Sequence, residues 1–262
     1  MTLRRQMIAW IAGPTLAIYV AILGLAAVGQ FRQSKEEVER AMTRLAASYS
    51  SRLDGHLRES ARIAETTGRA LETGFDFSDD AVYTLAENNV RQIPLVYGSC
   101  LAFEPGTRRP EGELFAPYVC RTATGLRRMN IDQSVYDWYR DPQYTWYSEP
   151  KRLDHGVWSA PYFDEGAGNI LMSTYSAPFH TGDRFGGVVT VDIDLPRLRE
   201  SVGQEIDEQL DFVILAGDGR YVYHADASRI MAKPALDYVG VTRRGEVSPL
   251  LQKMLSGGDG GA

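Results

Sequence analysis

The amino-acid sequence predicts an α+β protein with an N-terminal transmembrane helix, a long stalk helix and two antiparallel-sheet modules in tandem. Three observations carry this expectation. An uncharged run, MIAWIAGPTLAIYVAILGLAAVG, fills residues 7–29; apolar residues recur at helical spacing from Val38 to Leu71; beyond Pro94, strand-like runs alternate with Gly, Asp and Pro turns. Helices grouped first and strands afterwards are the mark of an α+β arrangement.

A membrane-spanning helix needs roughly 20 apolar residues, and such helices tolerate a proline like Pro14. Arg4 and Arg5 precede the run, so residues 1–6 are expected to stay cytoplasmic and residues 30–262 to lie outside the inner membrane. The alternative is a secretory signal cleaved near Ala27-Val28-Gly29, with the same destination. Residues 30–74 form the stalk: Val38, Ala41, Leu45, Tyr49, Leu53, Leu57, Ala61, Ala64 and Leu71 mark one helical face. About 38 residues at ~1.5 Å each reach about 60 Å. Such a helix either packs along a domain or pairs with a second copy in a homodimer, although Gly55 and uneven spacing weaken a strict heptad.

Ser78-Asp79-Asp80 starts the next helix, AVYTLAENNVRQ continues it, and Pro94 ends it before the strand LVYGSCLAF. Strand signals then follow in FAPYVCRT, VWSAPYFD, NILMSTYSAPF and FGGVVTVDIDL, with the aromatic insert SVYDWYRDPQYTWYSEP read as helix or loop. A connecting helix, PRLRESVGQEIDEQ, leads to DFVILAG and RYVYHAD, which flank a hairpin turn at Gly217-Asp218-Gly219. The expected modules are residues 75–200 and 201–262. The latter is expected to be incomplete, as if the sequence stopped inside a domain ahead of a missing output domain.

With 34 acidic against 28 basic residues, a net charge of −6 and no dense basic block, a nucleic-acid surface is excluded. His56, His155, His180 and His224 are scattered without metal-ligand spacing, and no nucleophile elbow, HExxH or phosphate loop occurs. No cofactor and no metal are expected. Cys100 and Cys120 lie in two strand-like runs around a turn-rich segment, so they form either a cross-strand disulfide or two buried thiols.

The candidate site comes from strand alternation. A two-residue turn at Gly182-Asp183 pairs Ser173 with Asp192 and Tyr175 with Thr190. A four-residue loop at DEGAGN pairs Tyr162 with Leu171 and Trp158 with Tyr175. Trp158, Tyr162, Asp164, Ser173, Tyr175, Thr190 and Asp192 then share a face, while Val157, Phe163, Ile170, Met172, Val189, Val191 and Ile193 take the other. Carboxylates framed by aromatic rings suit a small cation such as an ammonium group. The same face simply meeting water is an alternative.

These residues also carry a resemblance. SVYDWYRDPQ, then VWSAPYFDEGAGNILMSTYSAPF, then FGGVVTVDIDL resembles the extracytoplasmic double Cache sensor domain, also called a PDC or PAS-like sensor, from about Ser34 to the end. The stretch WSAPYFDEGAGNILMSTYS resembles the versions ahead of sporulation stage II E-type serine phosphatases and some sensor histidine kinases. The resemblance implies two stacked PAS-like modules along the long helix, with a small-molecule ligand in the membrane-distal one. It implies a pocket built from Trp138, Tyr139, Tyr162, Asp164 and Asp192. The amino-acid-binding branch carries an Arg two residues before the WY pair, where this sequence has Tyr136. A bidentate clamp for a carboxylate is therefore missing unless Arg140, Lys151 or Arg152 substitutes, and amine recognition stays open.

The expected function is thus ligand sensing in a membrane receptor, with an amine or amino-acid-like ligand and transmission through the helices. An exported interaction module, or a hydrolase using Asp164 and Asp192 as paired carboxylates, are the alternatives.

Overall fold

The computed structural model describes residues 10, 12–74, 77–198, 200, 213–224, 226–235 and 237. The chain divides into two compact units, residues 1–52 and 53–262. Helix α1 runs without interruption over Gly13–Glu72, so the apolar run and the stalk are one helix. Its N-terminal part is long and apolar enough to cross a membrane, and there Leu16, Ile18, Val20 and Leu23 all face outward. In the second unit the helix buries small residues instead, Ser60, Ala61, Ala64, Thr67 and Gly68, together with Ile63. Small side chains allow close approach to the sheet.

Helix α2, Asp79–Gln92, begins as its sequence dictates. The Ser78 hydroxyl accepts the Ala81 N–H at 3.2 Å, and Asp79 and Asp80 occupy the positive first turn. It ends at Ile93, held extended by the following Pro94.

A seven-stranded antiparallel sheet follows: β1 (Val96–Phe103), β2 (Pro117–Thr122), β3 (Gly125–Asn130), β4 (Val157–Trp158), β5 (Tyr162–Phe163), β6 (Leu171–Thr181) and β7 (Arg184–Asp194). The spatial order is β3-β2-β1-β7-β6-β4, with β5 also paired to β6. The insert between β3 and β4 supplies α3, Thr145–Leu153. Each face of the sheet carries its own core. Leu101, Val119, Tyr175, Phe179, Val189, Val191 and Ile193 pack with α1 and α2. Cys100, Ala102, Tyr118, Cys120 and Val188 pack with Trp138, Trp146 and Tyr147 of the insert.

Three expectations are corrected here. Strand β6 sits one residue away from the expected register, pairing Thr174, not Ser173, with Asp192, and Tyr175 with Val191. The Gly182-Asp183 turn forms, but a bulge at Gly186 follows it: His180 opposes Phe185 while Phe179 opposes Gly187. Glycine is required there, since a Cβ on Gly187 would lie 2.1 Å from the Ala102 carbonyl oxygen and one on Gly186 would lie 2.8 Å from the Phe179 ring. The DEGAGN loop is also one residue longer than expected, because the Asp164 N–H donates to Ile170 and Tyr162 pairs with Met172. The third concerns the cysteines: Cys100 opposes Tyr118 and Cys120 opposes Gly98, a diagonal relation with a separation of roughly 7–8 Å, too wide for a disulfide. Both are buried free thiols.

Beyond Asp194, residues 195–198 and 200 are helical, and Leu195 and Leu198 join the core. The rest of the expected connecting helix lies outside the described residues. Strands β8 (Ile214–Leu215) and β9 (Tyr221–Tyr223) form the expected hairpin. Its turn is closed by the Gly219 N–H on the Ala216 carbonyl at 2.9 Å.

Candidate functional site

The one-residue displacement of β6 replaces Ser173 and Tyr175 by Met172 and Thr174 on the face that carries Asp192. Tyr162 and Asp164 stay with Asp192, because β5 and β7 are both shifted in the same sense relative to β6. These residues line a small cavity with Cys100, Tyr118 and Thr190 from the sheet and Ile131, Tyr136 and Trp146 from the insert. The space open to the centre of a water-sized sphere is about 20 Å³, enough for a group no larger than a water or two.

Asp192 is a buried carboxyl, only 4 % exposed. The Thr174 hydroxyl donates to its Oδ1 at 2.8 Å and, having spent its proton, accepts from the Tyr162 hydroxyl at 2.8 Å. Its Oδ2 lies beside Tyr118, whose buried hydroxyl has no hydrogen-bond partner. Gly98 makes that approach possible: a Cβ there would stand 2.3 Å from the Tyr118 oxygen and 2.8 Å from Asp192 Oδ2. Burial raises the Asp192 carboxyl to about 7, with the Asp164 charge adding to the rise and the Thr174 hydrogen bond and the neighbouring Tyr118 hydroxyl opposing it.

Asp164 sits where β5 turns away. The Gly168 N–H and, at 3.4 Å, the Tyr136 hydroxyl donate to it, while burial nonetheless raises its pKa. Gly168 is held from its other side by the Tyr97 hydroxyl on its carbonyl at 2.8 Å. Tyr136 stacks on Tyr144 with centroids 4.7 Å apart, forming an aromatic cap with Trp146. Burial also pushes the Cys100 thiol well up, so that it behaves as an inert core group.

The remaining predicted residues fall elsewhere. Trp138 is fully buried in the insert core, its indole N–H donating to the Ile131 carbonyl at 2.8 Å. Tyr139 is at the surface, bonded to Glu104. Trp158 and Tyr175 do pair as expected, but on the helix side, where the Tyr175 hydroxyl donates to Glu65 of α1 at 2.8 Å. The Ser173 hydroxyl is spent on the Ser159 carbonyl at 2.9 Å. Sequence reasoning misses Thr174, Tyr118, Cys100, Met172, Tyr136 and Trp146 as lining residues. The Gly186-Gly187 pair is the signal for the register of β6, and so for Thr174 and Met172, since consecutive glycines inside a strand mark a bulge. Nothing local in the sequence marks Tyr118.

A buried polar chain leads from this cavity to α1. The Ser99 hydroxyl donates to the Thr190 carbonyl at 2.7 Å, Asn89 of α2 donates to Ser99 at 3.0 Å, and Thr67 of α1 donates to Asn89 at 2.7 Å. Among the described residues no cluster of His, Cys, Asp and Glu has the arrangement of a metal site.

Known proteins share this architecture. A family model for the first PDC sensor domain of methyl-accepting chemotaxis protein-like receptors matches residues 82–200. The crystallised extracellular domain of soHK1S-Z6, named as a histidine kinase, is 30 % identical with a TM-score of 0.67, the match covering 78 % of this chain and 76 % of that one. The ligand-binding domain of the Pseudomonas aeruginosa chemoreceptor PctB in complex with L-Gln is 21 % identical at a TM-score of 0.50, covering 74 % and 70 %. That of Campylobacter jejuni Tlp3 with L-valine is 11 % identical at 0.54, covering 76 % and 75 %. No curated protein matches the chain significantly. The long helix, the two-faced antiparallel sheet and the matched sequence place this chain in the PDC, or Cache, family of receptor sensor domains.

Proposed function

We propose that this chain is the sensing part of a membrane-bound receptor and that the cavity between β1, β5, β6 and β7 and the aromatic insert binds a small organic cation, an amine before an amino acid. The observation that carries this reading is the composition of the wall. It has two buried carboxyls, Asp164 and Asp192, several hydroxyls and aromatic rings, and no Lys, Arg or His. An ammonium group gains charge-assisted hydrogen bonds from the carboxyls and attraction from the ring faces. A ligand carboxylate would meet only acidic and neutral groups, and its desolvation would go uncompensated. The unpartnered Tyr118 hydroxyl supports a ligand at Asp192, since a buried hydroxyl without a partner is costly. PctB and Tlp3 were solved with amino acids bound, which supports a ligand of similar size with an amino group.

A ligand of that size exceeds this small cavity, so binding displaces the rings of Tyr136, Tyr144 and Trp146. Movement of Thr190 or its neighbours then reaches α1 through Ser99, Asn89 and Thr67, provided the ligand favours one of two helix positions. In this reading residues 75–200 are the membrane-distal module, 201–262 belong to the membrane-proximal one, and the protein works as a homodimer in the inner membrane. Residues 30–262 are then extracytoplasmic, and α1 carries the signal towards a cytoplasmic output domain.

The test is the melting temperature of the whole chain in detergent against amines, amino acids and carboxylates, repeated with Asp192→Ala. A bound ligand raises the melting temperature in proportion to the logarithm of its concentration over Kd. Amines are expected to raise it in the native chain and not in the variant. Stabilisation by carboxylates but not amines would overturn the reading.

A further inference from the structure

Two carboxyl groups that line one small cavity without a basic side chain are harder to ionise together than apart. Asp164 and Asp192 are in that position. The groups facing Asp192 from each packed element are Cys100 on β1, Tyr118 and Cys120 on β2, Thr174 on β6, Tyr162 and Asp164 on and after β5, and Tyr136 in the insert. All are neutral or acidic. Asp192 accepts one hydrogen bond, from Thr174, and Asp164 accepts from Gly168 and Tyr136. Neither carboxylate has a positive partner.

We propose that a cation enters this cavity by exchange: bare, the Asp164 and Asp192 pair holds one proton, and an ammonium ligand displaces it to solvent. This rests on the cation reading above and adds its regulation. The balance is simple: a protonated amine and the neutral acid go in, and the bound ammonium–carboxylate pair and one released proton come out. The proton serves the bare cavity as the smallest counter-charge available. Burial, which raises the pKa of both carboxyls, and at Asp192 the added charge of Asp164 supply the required proton affinity. An unpartnered Tyr118 hydroxyl beside Asp192 Oδ2 fits the same picture, because a carboxylate freed by the exchange can accept from it. The receptor then reports amine concentration against proton concentration, not amine alone.

Affinity for methylammonium and for ethanolamine, both protonated throughout, is measured with the whole chain in detergent between pH 5.5 and 8. Calorimetry at pH 7 in two buffers of different ionisation enthalpy counts the protons released. One-proton competition at an apparent pKa near 7 predicts binding about thirtyfold weaker at pH 5.5 than at pH 8, with release of about half a proton per ligand at pH 7. The variant Asp164→Asn removes the repelling charge but leaves Asp192 buried, so the loss of affinity is expected to begin at a lower pH than in the native chain. Amine binding with equal affinity at both pH values and no proton release overturns the exchange and leaves the cation reading intact. Absence of amine binding at every pH overturns both.

Discussion

Asp192→Asn provides a ligand-free test of how the cavity is built. The carboxyl rises from 3.8 to about 7 in the folded chain because it is buried beside Asp164 with one hydroxyl donor. Each tenfold gain in proton affinity is worth about 1.4 kcal/mol, so holding Asp192 ionised above pH 8 costs the fold on the order of 4 kcal/mol relative to acid. The folded-state pKa lies above the unfolded one. The stability contributed by the neutral acid is therefore full below about pH 4 and disappears as pH rises through about 7. Asparagine keeps the shape and never ionises. Urea unfolding followed by tryptophan fluorescence should find the variant more stable than the native chain by about 4 kcal/mol at pH 8 but only by about 2 kcal/mol at pH 5. A gap that is the same at both pH values, or a variant less stable at pH 8, would refute the burial argument and show Asp192 to be an ordinary solvated carboxylate.

Other substitutions probe the frame around the cavity. Asn89→Ala breaks the chain between Thr67 and Ser99 and leaves the buried Thr67 hydroxyl without its partner, which should cost about 1–3 kcal/mol in urea unfolding. Gly98→Ala puts a methyl group 2.3 Å from the Tyr118 oxygen; a loss of about 1–3 kcal/mol is expected, together with loss of amine-dependent stabilisation. Tyr118→Phe removes a hydroxyl that has no partner in the bare cavity, so stability without ligand should be unchanged or higher by about 1 kcal/mol, read from the urea midpoint. Thiol titration of the chain unfolded without reductant should count both Cys100 and Cys120 as free.

Much of this molecule is legible along the chain. The apolar run long enough to cross a membrane, the Ser78 cap, the Pro94 stop and the Gly217-Asp218-Gly219 turn are local features, set by residues within a few positions of one another, and the structure has each in place. The faces of the sheet are not local. Whether Ser173 or Thr174 meets Asp192 depends on one extra residue at Gly186, and a single-residue slip exchanges every side chain of β6 between the two cores. Tyr162, Asp164 and Asp192 stay together because the slip moves both neighbours of β6 alike. Trp138 shows a different failure: a tryptophan in a functional-looking motif is needed for packing against Trp146 and Tyr147, and its neighbour Tyr136 reaches the cavity instead. Tyr118 lies far away in sequence and joins the site only through the pairing of β2 with β1.

The proposed preference of the cavity for positive charge underlies both the proposed sensing role and the proposed proton exchange. The most direct measurement is calorimetric titration of the whole chain at pH 8 with two ligands of nearly the same size, ethanolamine and glycolate, one a cation and the other an anion. Saturable binding of ethanolamine that is lost in Asp192→Ala, with no heat from glycolate, is the predicted result. Binding of glycolate in preference to ethanolamine would contradict it, because no group lining the cavity could balance that charge.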